Sequence, residues 1–544
     1  PTPTPTAAPK PPEGTGEVVL PPRNAVMVPT ACDYCVVGCG YKAYVWPVGI
    51  SGGPKASENA LGIDFPVPVL SGKWISPNMQ NIVMVRGAPH HVLVIPDGDT
   101  QVVNVAGDHS VRGGTLAQKL YNPNKPTKDR LQRPQIRVDG RLVSIPWDMA
   151  LDLVADLSRH VLDNYSELSW AMKMYSYEYY ENTYALTKLA FGAINTPCWA
   201  PHDKPAAGAD TPGLSDAGIN AFSAAYQDWR DAEVIYVSGV TLYETKSILF
   251  QQWVVPGGAK LVVVNPRRDY TAAFAEQRGG LHLQLIPGTD TLLNNSIARV
   301  ILEDGWQDDE FIQQRTAGRE ELSREIFWRR QMFGMTFDQY KNFILGDDVH
   351  TPENAERITG VSAAKIRRAA ELLAKPKSDG SRPRTSLMLE KGNYWGHNFE
   401  NTASLASLGL LVGAGGRPGQ MISRAGGHQR GMIKGGSYPK DKSPDSYKGN
   451  KIELNLDRWV TEGNVRFIWV IGTTWLAAMG ASQHLAQQVG KLTRETRPQL
   501  SLLDAFAEGD PTARFKYEGV RDLLKARMDN GGMVLVHQEI YPNG

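Results

Sequence analysis

Three of the four cysteines in the chain fall within eight residues, Cys32-Asp33-Tyr34-Cys35-Val36-Val37-Gly38-Cys39. Thiolates are soft ligands, and three so close together suit an iron–sulfur cluster. Gly38 and Gly40 let the backbone curl so that the sulfurs converge. A disulfide would leave one thiol over, and the tight spacing suits disulfide geometry poorly. A tetrahedral zinc site needs a fourth Cys or His, for which His90, His91 and His109 are distant candidates. Buried cysteines without a ligand role are the third alternative. Cys198, the fourth cysteine, reads as a buried thiol.

These thiols need a scaffold, and 544 residues suffice for several domains. The 58 basic and 57 acidic side chains give a net charge of +1, without the basic surface that nucleic acid requires. No apolar run has the length needed to cross a bilayer, and no cleavable signal peptide is visible. Four cysteines in this length exclude a disulfide scaffold. Residues 1–28, with their Pro-Thr repeats, predict an extended Pro-rich arm. Residues 29–140 predict a β-rich iron–sulfur domain, with 91–96 among its short apolar segments. Residues 141–190 together with 436–544 predict one α/β domain, and 191–435 a second, with the Gly-rich stretch 413–436 between them. Helical spacing covers 148–162, and 170–175 reads as a strand. The apolar runs 232–239 and 260–266, with a helix over 244–253, predict a βαβ unit whose ligands bind at the C-terminal strand ends. Residues 466–473 and 533–538 repeat the strand pattern, and 319–325 reads as a solvated helix face.

After seventy intervening residues Cys39 is followed by Ser110, in Asp108-His109-Ser110-Val111-Arg112-Gly113-Gly114. The pattern Cys32-x2-Cys35-x3-Cys39, followed by Ser110, resembles the large subunits of arsenite oxidase and iodate reductase. Both belong to the dimethyl sulfoxide reductase superfamily of molybdenum enzymes. The resemblance extends over residues 21–544, including 40–47, 58–65, 287–291 and 390–392. It implies a multidomain α/β molybdopterin-oxidoreductase fold with a β-rich iron–sulfur domain and two Rossmann-like α/β domains. The family's C-terminal β-barrel domain is expected to be absent. In this branch a Ser replaces the fourth Cys of a 4Fe–4S site. The resemblance therefore implies a 3Fe–4S cluster on Cys32, Cys35 and Cys39, with Ser110 at the vacant fourth position and Arg112 between cluster and pterin.

The resemblance also implies molybdenum carried by two molybdopterin guanine dinucleotides. Strand-end loops with small residues and backbone donors would hold these groups. The candidates are Gly239, Thr241 and Glu244; Asn265 and Arg267, the latter pairing a phosphate; Gly288 and Asp290, the latter accepting from a guanine edge; and Lys391. Ala206 stands where other branches place a metal-ligating side chain, so molybdenum would have no ligand from a side chain here. The family's substrate-binding His maps to His202, and its Glu to Asp210, one methylene shorter. The run Arg424-Ala425-Gly426-Gly427-His428-Gln429 supplies Arg424 and His428.

Arg430 stands where arsenite oxidases carry Glu. With Lys204 and Lys434 it favours approach of a small oxyanion, while Asp203 and Asp210 oppose it. The expectation is oxygen-atom transfer in the direction of iodate reduction, with electrons passing through the cluster. Arsenite oxidation is the alternative, and a non-catalytic electron-transfer scaffold is a reading of another class. The family further implies a small Rieske iron–sulfur subunit, a soluble electron carrier such as a cytochrome c, and a periplasmic location.

Overall fold

A computed structural model of the chain describes residues 18–34, 37–66, 75–100, 103–110, 112–120, 122, 131–174, 180–200, 211–316, 332–426, 456–478, 482–495, 498–507 and 510–539. The first part is an antiparallel sheet of β1 (Val26–Ala31), β2 (Gly40–Pro47), β3 (Gln80–Val85) and β4 (Ala88–Pro96), in the order β1-β2-β4-β3. The β1–β2 register ends at Ala31 opposite Gly40, so Cys32 and Cys39 directly follow and precede the paired strands of a hairpin. A second hairpin, β5 (Gln135–Val138) and β6 (Arg141–Ser144), turns on Asp139 and Gly140 at φ 46° and 75°. Positive φ at both central residues is what a type I′ turn requires.

The chain then starts one parallel sheet, leaves it to build another, and returns. It starts with β7 (Trp170–Met174) and β8 (Trp199–Ala200). The second sheet holds β9 (Val234–Ser238), β10 (Lys260–Val264), β11 (Leu281–Leu283), β12 (Thr385–Leu389) and β13 (Ile422–Arg424), in the order β11-β10-β9-β12-β13. The chain comes back with β14 (Phe467–Ile471), passes a small hairpin of β15 (Phe506–Ala507) and β16 (Asp510–Phe515), and closes with β17 (Val534–Gln538). The returning strands complete the sheet order β17-β14-β7-β8.

The central strands of the parallel sheets are covered on both faces, which is why β9, β10 and β14 read as largely apolar runs. In the five-stranded sheet Val234, Tyr236, Val262 and Leu387 pack with helices Asp290–Glu303 and Asn398–Leu411. Ile235, Val237, Leu261 and Met388 pack on the opposite face, with Leu249 and Phe250. In the four-stranded sheet Trp170, Met172 and Phe467 face helix Trp147–Asn164, while Ala171, Ile468 and Val470 face the other way. Each such side chain contributes roughly 1.5–3 kcal/mol when fully buried. Cores of this size can hold conformationally costly loops at the strand ends.

Two local expectations meet a different chain path. Residues 199–200 pair with 172–173, so the first sheet claims the chain as far as Ala200, beyond the break read at 191. The helix expected over 244–253 is broken into Leu242–Thr245, Ser247–Leu249 and a wide turn, Phe250–Val254. Its residues answer to tertiary partners, described below, rather than to one regular helix. Residues 319–325 lie outside the described residues.

Candidate functional site

In the five-stranded sheet the register sets Leu283, Val264, Ser238, Leu389 and Arg424 side by side. The residues that follow them therefore emerge along one edge, the C-terminal end of the sheet. Strand order reverses between β9 and β12, and a crevice at such a reversal is where open α/β sheets bind ligands. Two glycines meet there. The Gly392 amide donates to the Gly239 carbonyl at 3.0 Å. Gly239 has φ +68°, and a Cβ on it would lie 2.2 Å from the Asn393 amide nitrogen. Asn393 donates to the Ser238 hydroxyl at 3.0 Å, yet its buried Oδ1 has no hydrogen-bond partner.

One ion pair lies behind this crevice. Arg424, 2% exposed, pairs with Glu390, 5% exposed, at 3.1 Å. The guanidinium sits 4.7 Å from the Phe222 ring centroid and 4.8 Å from that of Tyr394, whose hydroxyl donates to Glu390 at 3.2 Å. The partner strands β12 and β13 place these residues: Glu390 directly follows β12 and Arg424 ends β13.

The remaining strand-end candidates divide into two groups. Glu244 and Arg267 meet in an exposed pair at 3.1 Å, joining the loops after β9 and β10. Beside them Asn265 accepts from the Arg267 amide at 3.0 Å and donates to Asp269 at 3.1 Å, which fixes the loop. Thr241 precedes the first short helix, and its carbonyl accepts from the Thr245 amide. Gly288 lies in the turn after β11, at φ +91° with open space around it. Asp290 starts the next helix, 7% exposed, and burial pushes its carboxyl up to about 6. Burial, with Asp290 close by, also raises the Tyr236 hydroxyl on β9. Lys391 lies 4.6 Å from the Trp395 ring centroid, next to the Gly239–Gly392 contact.

The thiol loop is braced from several sides. Cys32 and Cys39 are each 6% exposed, and the Cys32 amide donates to the Cys39 carbonyl at 2.8 Å. Gly38 takes φ +61°, the left-handed turn that a glycine allows. Asn104 accepts from the Gly40 amide at 2.8 Å. Lys119 pairs with Asp33 at 2.5 Å and stands 4.5 Å from the Tyr34 ring centroid. Lys119 ends the short helix Gly113–Lys119, whose first amide donates to the Ser110 hydroxyl at 3.3 Å. Arg112, exposed, precedes that helix, and its carbonyl accepts from the Thr115 hydroxyl at 2.8 Å. Cys35 lies outside the described residues. The zinc alternative loses two of its candidates here. His91 pairs with Trp46 and His90 with Pro47, at the far end of β2, roughly 20 Å from the loop at 3.4 Å per residue.

A cross-domain contact links the two regions. Ile248, in the broken helical segment after β9, packs in one cluster with Cys32, Cys39, Tyr41 and Ala117. Gln252 donates to Asp108 at 3.0 Å, two residues before Ser110. On the same segment Lys246 donates to the Gly426 carbonyl at 3.5 Å. One stretch of chain thus touches both the thiol loop and the strand end from which 427–435 departs.

The four-stranded sheet presents its C-terminal edge in the same way. Lys173 on β7, 1% exposed, donates to Asp457 at 2.8 Å, and Asp457 also accepts from the Trp475 indole at 2.7 Å. Burial lowers the Lys173 ammonium from its ordinary value, against the attraction of Asp457. Cys198 lies in the core with its thiol pushed up to about 12 by burial. The loop carrying His202, Asp203, Lys204, Ala206 and Asp210 leaves from the end of β8, and it lies outside the described residues, as do His428, Arg430 and Lys434. A cavity of about 570 Å³ lined by Arg230, Glu233, Lys260 and Arg384 opens at the opposite, N-terminal ends of β9, β10 and β12. That is the wrong end of a parallel sheet for the crevice chemistry.

Sequence reasoning missed Glu390 and Asn393 as site residues, and Ile248, Gln252 and Lys119 as braces of the thiol loop. Glu390 stood within a segment noted only for its resemblance, 390–392. An acid directly after an apolar strand was a usable signal, but its partner on β13 could not be known without the strand register.

Comparison with known proteins places this geometry. A family model described as Rieske 3Fe-4S matches residues 32–127, and one described as molybdopterin oxidoreductase matches residues 130–498, more than half the chain. The iodate reductase subunit IdrA of Denitromonas iodatirespirans is 50% identical over 538 residues, covering 96% of this chain and 58% of that protein. The arsenite oxidase subunit AioA of Herminiimonas arsenicoxydans is 31% identical over 559 residues, covering 96% and 62%. The chain thus spans about three fifths of the length of these curated relatives. Acetylene hydratase from Pelobacter acetylenicus shares the fold at a TM-score of 0.51 and 15% identity, covering 92% of this chain and 69% of that one. No helix among the described residues is long and apolar enough to cross a membrane. Two parallel sheets, a docked thiol hairpin and the matched family model lead to one conclusion: the chain belongs to the molybdopterin oxidoreductases.

Proposed function

We propose that the chain forms the cofactor-bearing part of an iodate reductase, with a 3Fe–4S cluster and molybdenum on two molybdopterin guanine dinucleotides. The observation that carries the reading is the 50% identity to an iodate reductase subunit over 538 residues, against 31% to an arsenite oxidase subunit over 559. The chain's own residues fit both groups. Cys32 and Cys39 are buried beside one another at a hairpin end, a soft donor pair to which Cys35 adds the third sulfur. At the crevice, Gly239 and Gly392 keep the floor free of side chains, and the Asn393 Oδ1 is a buried acceptor awaiting a donor.

Bound molybdenum supplies two-electron oxygen-atom transfer. His202 and His428 would hydrogen-bond the substrate oxyanion and move protons to and from its oxygens. Arg424 contributes positive charge from behind the crevice, oriented by Glu390. Asp210 would take the place of the family's Glu, and Ala206 would offer the metal no side-chain ligand. Arg430, Lys204 and Lys434 draw an anion toward the opening. Gly239, Thr241, Asn265, Gly288, Lys391 and the Glu244–Arg267 pair cradle the nucleotide phosphates, and Asp290 accepts from a guanine edge. Electrons come from a small Rieske iron–sulfur subunit fed by a soluble carrier such as a cytochrome c, in the periplasm. The cluster held by Cys32, Cys35 and Cys39 would supply one-electron chemistry, and Arg112 would lie between it and the pterin.

Counting metals and nucleotides in the purified complex tests the cofactor part. The expected result is one molybdenum and two guanine nucleotides for each chain, with three irons at the thiol loop. A complex with the irons and no molybdenum would instead favour the electron-transfer scaffold.

A further inference from the structure

Asp33 lies between the first two cysteines of the thiol loop. It therefore puts a carboxylate on the residue next to Cys32, in the loop that would hold the cluster. An anion there favours the oxidised, more positive state of the cluster. Asp33 is only partly hydrated, its side chain 13% exposed, and its Oδ1 is buried without a hydrogen-bond partner. Its Oδ2 receives Lys119 at 2.5 Å, and the same ammonium stands over the face of Tyr34 at 4.5 Å. Lys119 thus holds two consecutive residues of the loop at once, one by charge and one by the ring quadrupole. It does so from the end of helix Gly113–Lys119, whose first amide donates to the Ser110 hydroxyl and which packs through Ala117 against Cys32 and Cys39.

We infer that Lys119 is a positioning and potential-setting residue for the iron–sulfur centre: it clasps the thiol loop to the Ser110 helix and neutralises Asp33 next to the cluster. The inference rests on the cluster reading of Cys32, Cys35 and Cys39. It is independent of which substrate is turned over. The two roles of Lys119 can be separated. The clasp governs whether the cluster is held, and the charge balance governs its midpoint potential. The burial of Asp33 matters to the second role, because a carboxylate 13% exposed is less screened by salt than a surface charge, while Lys119 is 34% exposed.

The test is a redox titration of the purified complex followed by electron paramagnetic resonance, with iron and acid-labile sulfide counted first. Lys119→Gln leaves Asp33 uncompensated, and should change the oxidised-to-reduced ratio at a fixed poise about tenfold toward the oxidised form, about 59 mV lower for one electron. Asp33→Asn should move it the other way. The double variant should return close to the starting potential, and Lys119→Arg should keep it. Loss of iron from Lys119→Gln that Lys119→Arg restores also supports the clasp. Full iron with an unchanged potential in Lys119→Gln would overturn the inference, as would a double variant in which the two shifts fail to offset. Unaltered protein without iron and sulfide would remove the cluster reading itself, and that count precedes any variant.

Discussion

Replacing Glu390 by Gln should destabilise the five-stranded unit far more than its small change in shape suggests. Arg424 is 2% exposed and is held between Phe222 and Tyr394, with Glu390 at 3.1 Å. Glu390→Gln keeps the volume and an acceptor for Tyr394 but removes the carboxylate charge that faces the Arg424 guanidinium in a buried site. Removing one member of a buried pair costs about 3–5 kcal/mol, mostly the penalty of the stranded charge. The unit built on residues 211–426 has a size at which 1 kcal/mol moves a thermal midpoint by about 2–4 °C. The expected fall is therefore roughly 6–20 °C in the transition of that unit, read by calorimetry. The double variant Glu390→Gln with Arg424→Met removes both charges and should recover at least half of the loss. A fall under about 2 °C, or a double variant no better than the single one, would refute the argument that this pair is dry and mutually dependent.

Further outcomes follow from single residues. Gly239→Ala combines a left-handed φ of +68° with a Cβ 2.2 Å from the Asn393 nitrogen, so it should cost about 2–5 kcal/mol from conformational strain and overpacking together. Gly288→Ala, at φ +91° with no atom within 4 Å, should cost only the conformational part, about 1–2 kcal/mol; equal losses in thermal melts would contradict the close approach at the crevice. The Lys377 hydrogen bond and the Arg384 amide hold the Glu233 carboxyl below its ordinary value of 4.5. Its stabilising contribution is complete above the ordinary carboxylate range and is lost as pH falls through the lower folded value. Glu233→Gln should flatten the acid limb of stability against pH, and superimposable acid limbs would count against it. His428→Ala should abolish turnover while the spectrum of the iron–sulfur centre persists; undiminished turnover would remove His428 from the proposed site.

The features legible in the sequence were those governed by local pattern. Residues 232–239, 260–266 and 466–473 could be read as strands because burial on both faces leaves four or five consecutive apolar positions inside each, with polar residues only toward the ends. The thiol hairpin was legible because three soft ligands so close together have few uses. The helix read over 244–253 failed as a single element for a tertiary reason. Ile248 is drawn to the thiols and Gln252 to Asp108, and these long-range partners leave no trace in local spacing. The two-residue strand Trp199–Ala200 is too short to show a period. The pairing of Glu390 with Arg424 depends on β12 and β13 being neighbours in register, and the sequence does not encode that register in any readable way. Arg424 itself was found only through its resemblance to a family motif, which predicts the residue and not the acid that holds it.

Paired turnover on the purified, metal-counted complex is the most direct test of iodate reduction. One arm supplies iodate with a reduced dye, and the other supplies arsenite with an oxidised dye. The account predicts iodate-dependent oxidation of the dye with negligible arsenite activity. Arsenite-dependent dye reduction without iodate turnover would contradict it, and would make Asp210 and Arg430 tolerated variations within an arsenite oxidase.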